Sequence, residues 1–309
     1  MSGIVISEFM DAQAVEDLRA QFDVRYDPGL VDELPALREA LAGAQALIVR
    51  NRTQVRAELL DHAPGLRVVG RLGVGLDNID MDLCARRGIR VIPALGANAQ
   101  AVAEYVIASA MLLLRGAYAS SAQVADGAWP RPALSEGREI AGKTLGLLGF
   151  GDIGRRTARL GQAVGMQVLA YDPVVPADAP VWSETGVQRR ELDALLQECD
   201  VLSLHVPLTE ATRGLLDAPR LARMREGAVL INTARGGVVD EAALADALRA
   251  GRLGGAALDV FGHEPLPAGS VLAGVPRLLL TPHIAGLTRE SNLRVSSLIA
   301  ERVGAFLRG

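Results

Sequence analysis

Cysteine and aromatic residues are scarce in this chain of 309 residues. The two cysteines, Cys84 and Cys199, are far apart and lack the spacing of a metal site, so we expect buried, reduced thiols and no bound metal. Aromatic residues make up 4% of the chain, against 50% for all hydrophobic residues. The core must therefore consist mainly of aliphatic side chains, which suits helices packed on buried parallel strands.

The chain also has no strong charge of one sign and no long hydrophobic run. Its formal net charge is −4 and its basic residues are scattered, which gives no surface for nucleic acid or an anionic membrane. The most apolar long segment, residues 99–114, contains Glu104 and predicts a buried helix rather than a membrane span. Residues 1–6 lack the charged start and apolar core of a signal peptide. We therefore expect a cytoplasmic protein that binds neither nucleic acid nor membrane.

Short apolar runs alternate with helical patterns along the first third of the chain. This alternation is typical of βαβ units, and it predicts a doubly wound parallel sheet. The expected strands are residues 4–7, 22–26, 46–50, 67–72 and 90–93, and the expected helices lie near 12–20, 31–41, 54–62 and 80–87.

A second alternating series begins at Thr144 and predicts a second α/β unit. Before it, residues 116–143 contain several glycines and prolines and are expected to form a loop or arm. After it, residues 288–307 have a helical pattern with no following strand. The six expected strands match the number in a dinucleotide-binding (Rossmann) domain, and they are residues 144–149, 167–171, 201–206, 228–232, 255–259 and 278–281.

Three glycines directly follow the first strand of this second series. Gly149 allows a tight turn, Gly151 lets the backbone approach a pyrophosphate, and Gly154 lets the next helix lie close to the strand. That helix, expected over residues 155–164, offers free N–H groups to phosphates at its N-terminus. Asp172 ends the next strand, where a carboxylate accepts the ribose hydroxyls of NAD and repels the 2′-phosphate of NADP. The pattern predicts an NAD site.

Three polar side chains, Arg235, Glu264 and His283, stand at or near the ends of later strands, where open α/β sheets bind their ligands. Oxidation of a 2-hydroxy acid removes the hydroxyl proton as hydride leaves the carbon, and His283 suits that proton transfer near neutral pH. A carboxylate such as Glu264, bonded to an imidazole, raises the pKa of that ring and fixes its tautomer. Arg235 suits a two-pronged contact with a substrate carboxylate.

The other three histidines carry weaker signals. His62 lies in an amphipathic helical pattern and His263 in a loop, so both are expected to be structural or solvated. His205 follows an expected strand, and a cofactor contact and a structural role both remain open for it.

Several linked motifs together resemble the D-isomer-specific 2-hydroxyacid dehydrogenase family, and the likeness covers nearly the whole chain. In chain order they are residues 71–80, 98–105, 149–154, 232–237, 259–265 and 281–286. The resemblance implies that Arg235 binds the substrate carboxylate and that His283, partnered by Glu264, is the acid/base. Because the formate dehydrogenase branch pairs its histidine with an amide, Glu264 argues against that branch.

The resemblance also implies further contacts. The backbone N–H groups of Val74 and Gly75 are expected to hold the substrate carboxylate, and Asp259 is expected to contact the nicotinamide amide. The full set expected at the cofactor is Gly149, Gly151, Asp152, Ile153, Gly154, Asp172, His205, Thr233 and Asp259.

The family supplies a domain plan as well. It implies an NAD-binding Rossmann domain, residues 98–286, inserted into a flavodoxin-like substrate domain of residues 1–97 and 287–309. Both are doubly wound parallel-sheet domains, and a cleft between them is expected to hold the substrate. Residues 98–143, the long helix and the arm, are expected to join a homodimer.

Several arginines of the expected substrate domain and the arm indicate the charge of the substrate. Arg50 and Arg71 are similar to the phosphate-binding arginines of phosphoglycerate dehydrogenases, and Arg131 resembles a residue that the partner subunit supplies there. Arg52 departs from that pattern but adds a cation, so Arg50, Arg52 and Arg71 predict a substrate with a second anionic group. The alternative for Arg50 and Arg52 is that they are solvated or pair with acids such as Glu58.

The sequence does not choose the second anion. If the second anion is a phosphate, the expected substrate is 3-phosphoglycerate. The enzyme would then be phosphoglycerate dehydrogenase-like, and we expect a short form without the regulatory domain. A sulfonate or second carboxylate gives a sulfolactate- or malate-like substrate, and a simple monocarboxylate gives a glyoxylate or hydroxypyruvate reductase. In a different class stand NAD-sensing corepressors of this fold, although the complete Arg-Glu-His set favours an enzyme.

Overall fold

The computed structural model describes residues 3–309; Met1 and Ser2, which begin the stretch compared with signal peptides, lie outside the described residues. The chain forms two compact units, one of Met1–Asn98 with Leu287–Gly309 and one of Ala99–Gly286. The second unit is continuous in sequence, whereas the first is completed by the last segment of the chain.

The first unit contains a five-stranded sheet in which every ladder is parallel. Its strands are β1 (Gly3–Ile6), β2 (Asp23–Tyr26), β3 (Ala44–Val49), β4 (Val68–Arg71) and β5 (Arg90–Pro93), in the order β2-β1-β3-β4-β5. Its first four helices are α1 (Ala12–Arg19), α2 (Leu34–Leu41), α3 (Ala57–Leu60) and α4 (Met81–Arg86), with a 3-10 helix over Pro28–Asp32. Nearly all residues of β3 are buried, and side chains alternate between the two faces of a strand, so both faces of the sheet are covered.

Two of the expected helices are shorter than the sequence pattern indicates. The helix expected near 54–62 is only α3, because Val55 forms a β-bridge with Ile79 and keeps the preceding segment extended. The helix expected over 31–41 divides into the 3-10 helix and α2, which has Pro35 in its first turn.

The second unit contains a seven-stranded parallel sheet. Its strands are β6 (Thr144–Leu148), β7 (Gln167–Tyr171), β8 (Gln188–Arg189), β9 (Val201–Leu204), β10 (Val229–Asn232), β11 (Gly255–Leu258) and β12 (Leu278–Leu280), in the order β12-β11-β10-β9-β6-β7-β8. Its helices are α5 (Ala99–Arg115), α6 (Ser121–Ala125), α7 (Asp152–Ala163), α8 (Val181–Thr185), α9 (Leu192–Glu198), α10 (Ala218–Arg223) and α11 (Glu241–Arg249). Both units are α/β, as the sequence predicts.

Two expectations for this unit were wrong. The sheet has seven strands rather than six, because β8 adds an edge strand of two residues, too short for any sequence pattern. The helix after the glycine loop begins at Asp152 rather than at residue 155, with Gly151 as its N-cap. Its first turn has one apolar side chain, Ile153, and one glycine, Gly154, so apolar periodicity could not detect it.

Helix α5 packs on β10, β11 and α7, and ten of its residues are buried. Within residues 3–309, no single helix is long and apolar enough to cross a membrane. A bent pair, Ala99–Arg115 with Ala117–Ala125, passes that test of length and composition only when taken together. After α5, the arm contains a 3-10 helix (Ala117–Ser120) and α6, and then runs without a helix or strand up to β6.

The final helix, α12 (Arg289–Arg308), belongs to the first unit. Thr288 caps it through a reciprocal pair of hydrogen bonds with Ser291. The helix lies against β4, where a Cβ on Gly70 would come within 2.8 Å of Ile299 and 2.9 Å of Val303. Gly70 therefore lets helix and sheet approach closely, and apolar residues of α12 become part of the same core as β1, β3 and β4.

Candidate active site

The expected site residues of the second unit follow the carboxyl ends of its strands. Because all strands are parallel, these ends share one edge of the sheet. Along the edge from β12 to β7 the residues are His283, then Asp259 and Glu264, then Thr233 and Arg235, then His205, the glycine loop and Asp172.

The glycine loop has the shape of a phosphate cradle. Gly149 has φ +99°, and a Cβ there would lie 2.5 Å from the carbonyl oxygen of His205. A Cβ on Gly154 would overlap the carbonyl oxygen of Gly149, so both glycines are required by close packing. A Cβ on Gly151 would meet nothing within 4 Å. Open space beside the first turn of α7, which begins with Asp152 and Ile153, fits a bound pyrophosphate.

The carboxylate of Asp172 bonds to the backbone of the glycine loop and can still accept further hydrogen bonds. Its Oδ2 accepts the backbone N–H of Phe150 at 2.7 Å, and its Oδ1 accepts that of Val174 at 2.9 Å. A carboxylate offers about four lone-pair sites, so about two remain for ribose hydroxyls. The arrangement fits an adenosine ribose beside β7.

Two further residues at this edge fit a cofactor. The Oγ1 atom of Thr233, just after β10, is buried and has no hydrogen-bond partner, as expected of a group that awaits a ligand. The ring Nε2 of His205 lies 3.0 Å from Oγ of Ser203. Burial lowers the pKa of His205 to about 3, so its ring is neutral and can contact a ligand without adding charge.

Glu264 and His283 form a hydrogen-bonded pair. Oε2 of Glu264 lies 2.8 Å from Nδ1 of His283, and Oε1 accepts the backbone N–H of Phe261 at 3.0 Å. Burial opposes ionisation of Glu264, but these two bonds and the charges of His283 and Arg235 together hold its pKa below the ordinary value. Glu264 is therefore ionised at neutral pH. Since Nδ1 faces it, Nε2 is the ring atom left to exchange a proton with a ligand.

Hydrogen bonds from the side chain of Asn232 fix the conformation of the loop that carries Arg235. Asn232 accepts the backbone N–H of Ala234 at 3.0 Å and donates its side-chain N–H to the carbonyl of Arg235 at 2.9 Å. A Cβ on Gly236 would overlap the carbonyl group of Phe261, so this loop and the Glu264 loop are in direct backbone contact. The sheet thus brings together the three residues that the sequence assigns to catalysis.

Asp259 is buried and anchors the loop after β12. Its Oδ1 accepts the hydroxyl of Thr281 at 2.6 Å and the backbone N–H of Ile284 at 2.8 Å. Its Oδ2 accepts the backbone N–H of Ala285 at 2.7 Å. Tyr105, which sequence reasoning missed, reaches the same group from α5, with its hydroxyl 2.7 Å from that of Thr281. Its only signal was its place in the motif at 98–105.

The remaining expected residues lie in the first unit. Arg50 comes directly after β3, where its Nη2 donates to Oδ1 of Asn292 at 2.6 Å and its guanidinium carbon lies 5.4 Å from the ring centre of Phe9. Burial lowers the pKa of Arg50, against the opposing charge of Glu8. Its Nε atom is buried without a hydrogen-bond partner.

Arg71 is the last residue of β4 and the ladder partner of Val49, so it lies at the same edge as Arg50. Its Nη1 donates to the carbonyl of Leu72 at 2.9 Å. A Cβ on Gly73 would overlap this guanidinium, so the glycine makes room for it. Val74 and Gly75 follow, half-buried.

Arg52 and Arg131 have different surroundings. The guanidinium of Arg52 pairs with Asp32, and the two side chains are 58% and 62% exposed. The hydrogen bond to Asp32 raises the pKa of Arg52. Arg131 is exposed on the arm, and Glu58 pairs with Arg38 rather than with Arg50 or Arg52.

Two of the other histidines, His62 and His263, are not part of the candidate site at the carboxyl edge of the second sheet. His62 and His263 are exposed, and Nδ1 of His263 lies 3.1 Å from the carbonyl of Pro265. Among residues 3–309, no group of three or more His, Cys, Asp and Glu side chains could hold a metal ion.

Known proteins resemble the chain over its whole length. It is 55% identical to an (S)-sulfolactate dehydrogenase of Chromohalobacter salexigens over 303 residues, which cover 98% of this chain and 97% of the relative. It is 38% identical to a hydroxypyruvate reductase of Thermotoga maritima over 88% of this chain and 87% of the relative. A D-3-phosphoglycerate dehydrogenase of Archaeoglobus fulgidus is 37% identical over 99% of this chain, which spans only 57% of that relative.

Solved structures agree. A crystal structure of the TT0316 protein from Thermus thermophilus has a TM-score of 0.90 at 36% identity, and the match covers 99% of this chain and 97% of that one. The D-lactate dehydrogenase from Aquifex aeolicus, complexed with NAD and lactic acid, has a TM-score of 0.84 at 31% identity, with 100% and 96% covered.

A family model described as D-isomer specific 2-hydroxyacid dehydrogenase, NAD binding domain, matches residues 107–285. That range includes the glycine loop and the loops of Arg235, Glu264 and His283. The chain therefore belongs to the D-isomer-specific 2-hydroxyacid dehydrogenase family and is an NAD-dependent oxidoreductase.

Proposed function

We propose that the enzyme acts on a 2-hydroxy acid that carries a second anionic group, and that this group is a sulfonate, as in sulfolactate. The half-buried guanidinium of Arg50, whose buried Nε has no hydrogen-bond partner, carries the proposal because a partly desolvated cation at a strand end is suited to an anion. The relative named (S)-sulfolactate dehydrogenase supports the sulfonate.

Charge balance favours a singly charged second anion. Arg50 and Arg71 bring two positive charges to the carboxyl ends of β3 and β4, whereas the buried carboxylate of Glu8 accepts the backbone N–H of Arg50 at 2.8 Å and adds a negative charge. The net charge of these three groups is +1. A sulfonate carries one negative charge, while a phosphate carries about −1.5 to −2 at pH 7. 3-Phosphoglycerate is the second candidate, favoured by the phosphoglycerate dehydrogenase relatives.

In the proposed mechanism Arg235 binds the carboxylate that every candidate substrate has, assisted by the N–H groups of Val74 and Gly75. Nε2 of His283 takes the hydroxyl proton during oxidation and returns it during reduction. Glu264 holds the ring through Nδ1 and balances the charge that the ring gains. When bound, NAD supplies the hydride acceptor. The glycine loop, Asp152, Ile153, Asp172, His205, Thr233 and Asp259 are proposed to hold and orient it.

The test compares kcat/KM for sulfolactate and 3-phosphoglycerate with kcat/KM for glycerate, followed as NADH absorbance. Arg50→Ala and Arg71→Ala should each lower the ratio of kcat/KM for a substrate with a second anion to that for glycerate by about 30-fold, since losing a direct contact to a desolvated anion costs about 2 kcal/mol or more. Arg235→Ala should impair all substrates alike.

Arg52→Ala is the internal comparison. The prediction that Arg52 also contacts the second anion stays open, but its ion pair with Asp32 leads us to expect a smaller fall in the ratio than for Arg50→Ala. If Arg50→Ala and Arg71→Ala leave the ratio unchanged, the substrate is a simple monocarboxylate. If the ratio falls but 3-phosphoglycerate is preferred to sulfolactate, the sulfonate assignment is wrong.

We also propose a cytoplasmic homodimer joined through residues 98–143. The arm exposes large apolar side chains, with Tyr118 at 64% and Trp129 at 74%, as expected of a surface that a second copy covers. Arg131, beside Trp129, would then be offered to the partner. Both cysteines are free and buried, which suits a reducing compartment.

A further inference from the structure

A chain of hydrogen bonds connects helix α5 to the loop that carries His283. It runs from the hydroxyl of Tyr105 to Oγ1 of Thr281 at 2.7 Å, and from there to Oδ1 of Asp259 at 2.6 Å. Tyr105 is half-buried and lies two turns into α5, a helix that packs on β10, β11 and α7. These hydrogen bonds therefore connect the loop of His283 to α5, a helix packed in the core of the second unit.

The direction of each hydrogen bond follows from the donors available. A carboxylate only accepts, so Thr281 must donate its single hydroxyl proton to Asp259. Thr281 then has no proton left for Tyr105, and Tyr105 must be the donor in the bond between them. Burial raises the pKa of Tyr105, which keeps that phenol protonated and able to donate.

The same carboxylate holds the loop on both sides of His283. Thr281 lies two residues before it, and Ile284 and Ala285, whose N–H groups also bind Asp259, directly follow it. His283 itself has φ 57°, a left-handed conformation that residues other than glycine rarely adopt. Such a backbone persists only when its surroundings over-determine it. The bonds to Asp259 supply that constraint, and Tyr105 orients the hydroxyl that forms one of them.

We propose that Tyr105 is a positioning residue for catalysis, which acts by orienting Thr281 and thereby the backbone that aims His283 at the reacting hydroxyl. This inference rests on the proposed role of His283 as the acid/base. Tyr105 bonds Thr281 and not Asp259 itself, so the two backbone N–H bonds of Asp259 remain when the phenol is removed. Its loss should therefore lower kcat and leave the Kd for NADH and the KM of the substrate nearly unchanged.

The first test replaces Tyr105 by phenylalanine, which keeps the ring and removes the donor. A misplacement well below 1 Å should cost about 5–20-fold in kcat, given that 1 Å can cost about 100-fold. Thr281→Val, which removes both bonds at equal size, should be at least as slow, while Thr281→Ser keeps the hydroxyl and should restore kcat. Thr185→Val, which removes a threonine hydroxyl bonded to the carbonyl of Val181 at 2.6 Å in α8, is the matched control and should behave as wild type.

A double variant separates positioning from a general loss of structure. If Tyr105 acts through His283, adding Tyr105→Phe to His283→Ala should slow single-turnover hydride transfer no further. The proposal is wrong if Tyr105→Phe keeps the wild-type kcat, or if it slows the His283→Ala enzyme by the same factor as the wild type. Wild-type activity in His283→Ala alone would instead refute the proposed mechanism.

Discussion

Exchanging Glu264 for glutamine removes one negative charge and one of two acceptor oxygens at nearly constant volume. Both oxygens are in use, since Oε1 accepts the N–H of Phe261 at 3.0 Å and Oε2 lies 2.8 Å from Nδ1 of His283. If the amide oxygen of the glutamine faces Phe261, its NH2 group faces Nδ1, which must then be unprotonated. The proton of the neutral ring moves to Nε2, and His283 can no longer accept a proton there.

The opposite orientation of the amide restores the bond to His283 but sets the NH2 group against the N–H of Phe261. Leaving a buried N–H without an acceptor costs about 1–3 kcal/mol. Glu264 and His283 are 33% and 39% exposed, so the lower part of that range, about 1–2 kcal/mol, is appropriate. Since one of the two orientations must be chosen, kcat should fall by about 5–30-fold in both directions of the reaction.

The assay follows NADH absorbance at saturating cofactor across the neutral pH range, in both directions. Glu241→Gln is the control, because Glu241 accepts the N–H of Gly262 at 2.7 Å and glutamine preserves that acceptor. Wild-type kcat in Glu264→Gln at every pH, with the control also unchanged, would refute the reasoning.

The Glu264 carboxyl also makes stability depend on pH. Its pKa is below the ordinary 4.5, so its stabilising contribution is present at neutral pH and is lost as pH falls through the lowered value. The difference in unfolding free energy between wild type and Glu264→Gln should therefore vanish in acid. Urea unfolding on either side of that pH measures it, and a difference that persists in acid would contradict the assignment.

Two further predictions concern the cofactor and the dimer. Wild type should prefer NADH to NADPH in kcat/KM by about tenfold or more, because Asp172 faces the 2′-phosphate with like charge. Asp172→Asn keeps an acceptor for Phe150 and should relax the preference; equal use of both cofactors by wild type would contradict this. Trp129→Glu should lower the mass measured by sedimentation equilibrium from dimer towards monomer, whereas Val271→Glu, exposed outside the arm, should not. A wild-type monomer would overturn the dimer.

Much of the fold could be predicted because local chemistry determines it. Apolar runs such as Ala44–Val49 identify buried parallel strands, and glycines such as Gly149 and Gly154 occupy turns where a Cβ would collide with backbone. Strand β8 could not be predicted, because two residues carry no periodicity. The first turn of α7 was missed for a related reason, since Asp152 and Gly154 interrupt the apolar periodicity by which a helix is detected.

Contacts between residues distant in sequence were also beyond sequence reasoning. Tyr105 and Thr281 are 176 positions apart, and nothing near either residue indicates their hydrogen bond. Likewise the ion pair of Arg52 with Asp32 depends on how two loops of the first unit meet. The sequence indicates which side chains can take part in catalysis. The packing of the sheet determines which neighbouring residues bond to them and fix their positions.

The position of α12 has a consequence for how the polypeptide folds while it is being synthesised. Residues 3–98 leave the ribosome before α12, yet one face of their sheet is covered by that helix, and Arg294 bonds to Ala97 from 197 positions away. The nascent first unit therefore keeps apolar side chains of β1, β3 and β4 exposed until α12 has been synthesised. The continuous second unit has its whole core available sooner and can fold first. Termination of synthesis within α12 would thus leave the core of the first unit incomplete, although its sheet was synthesised long before.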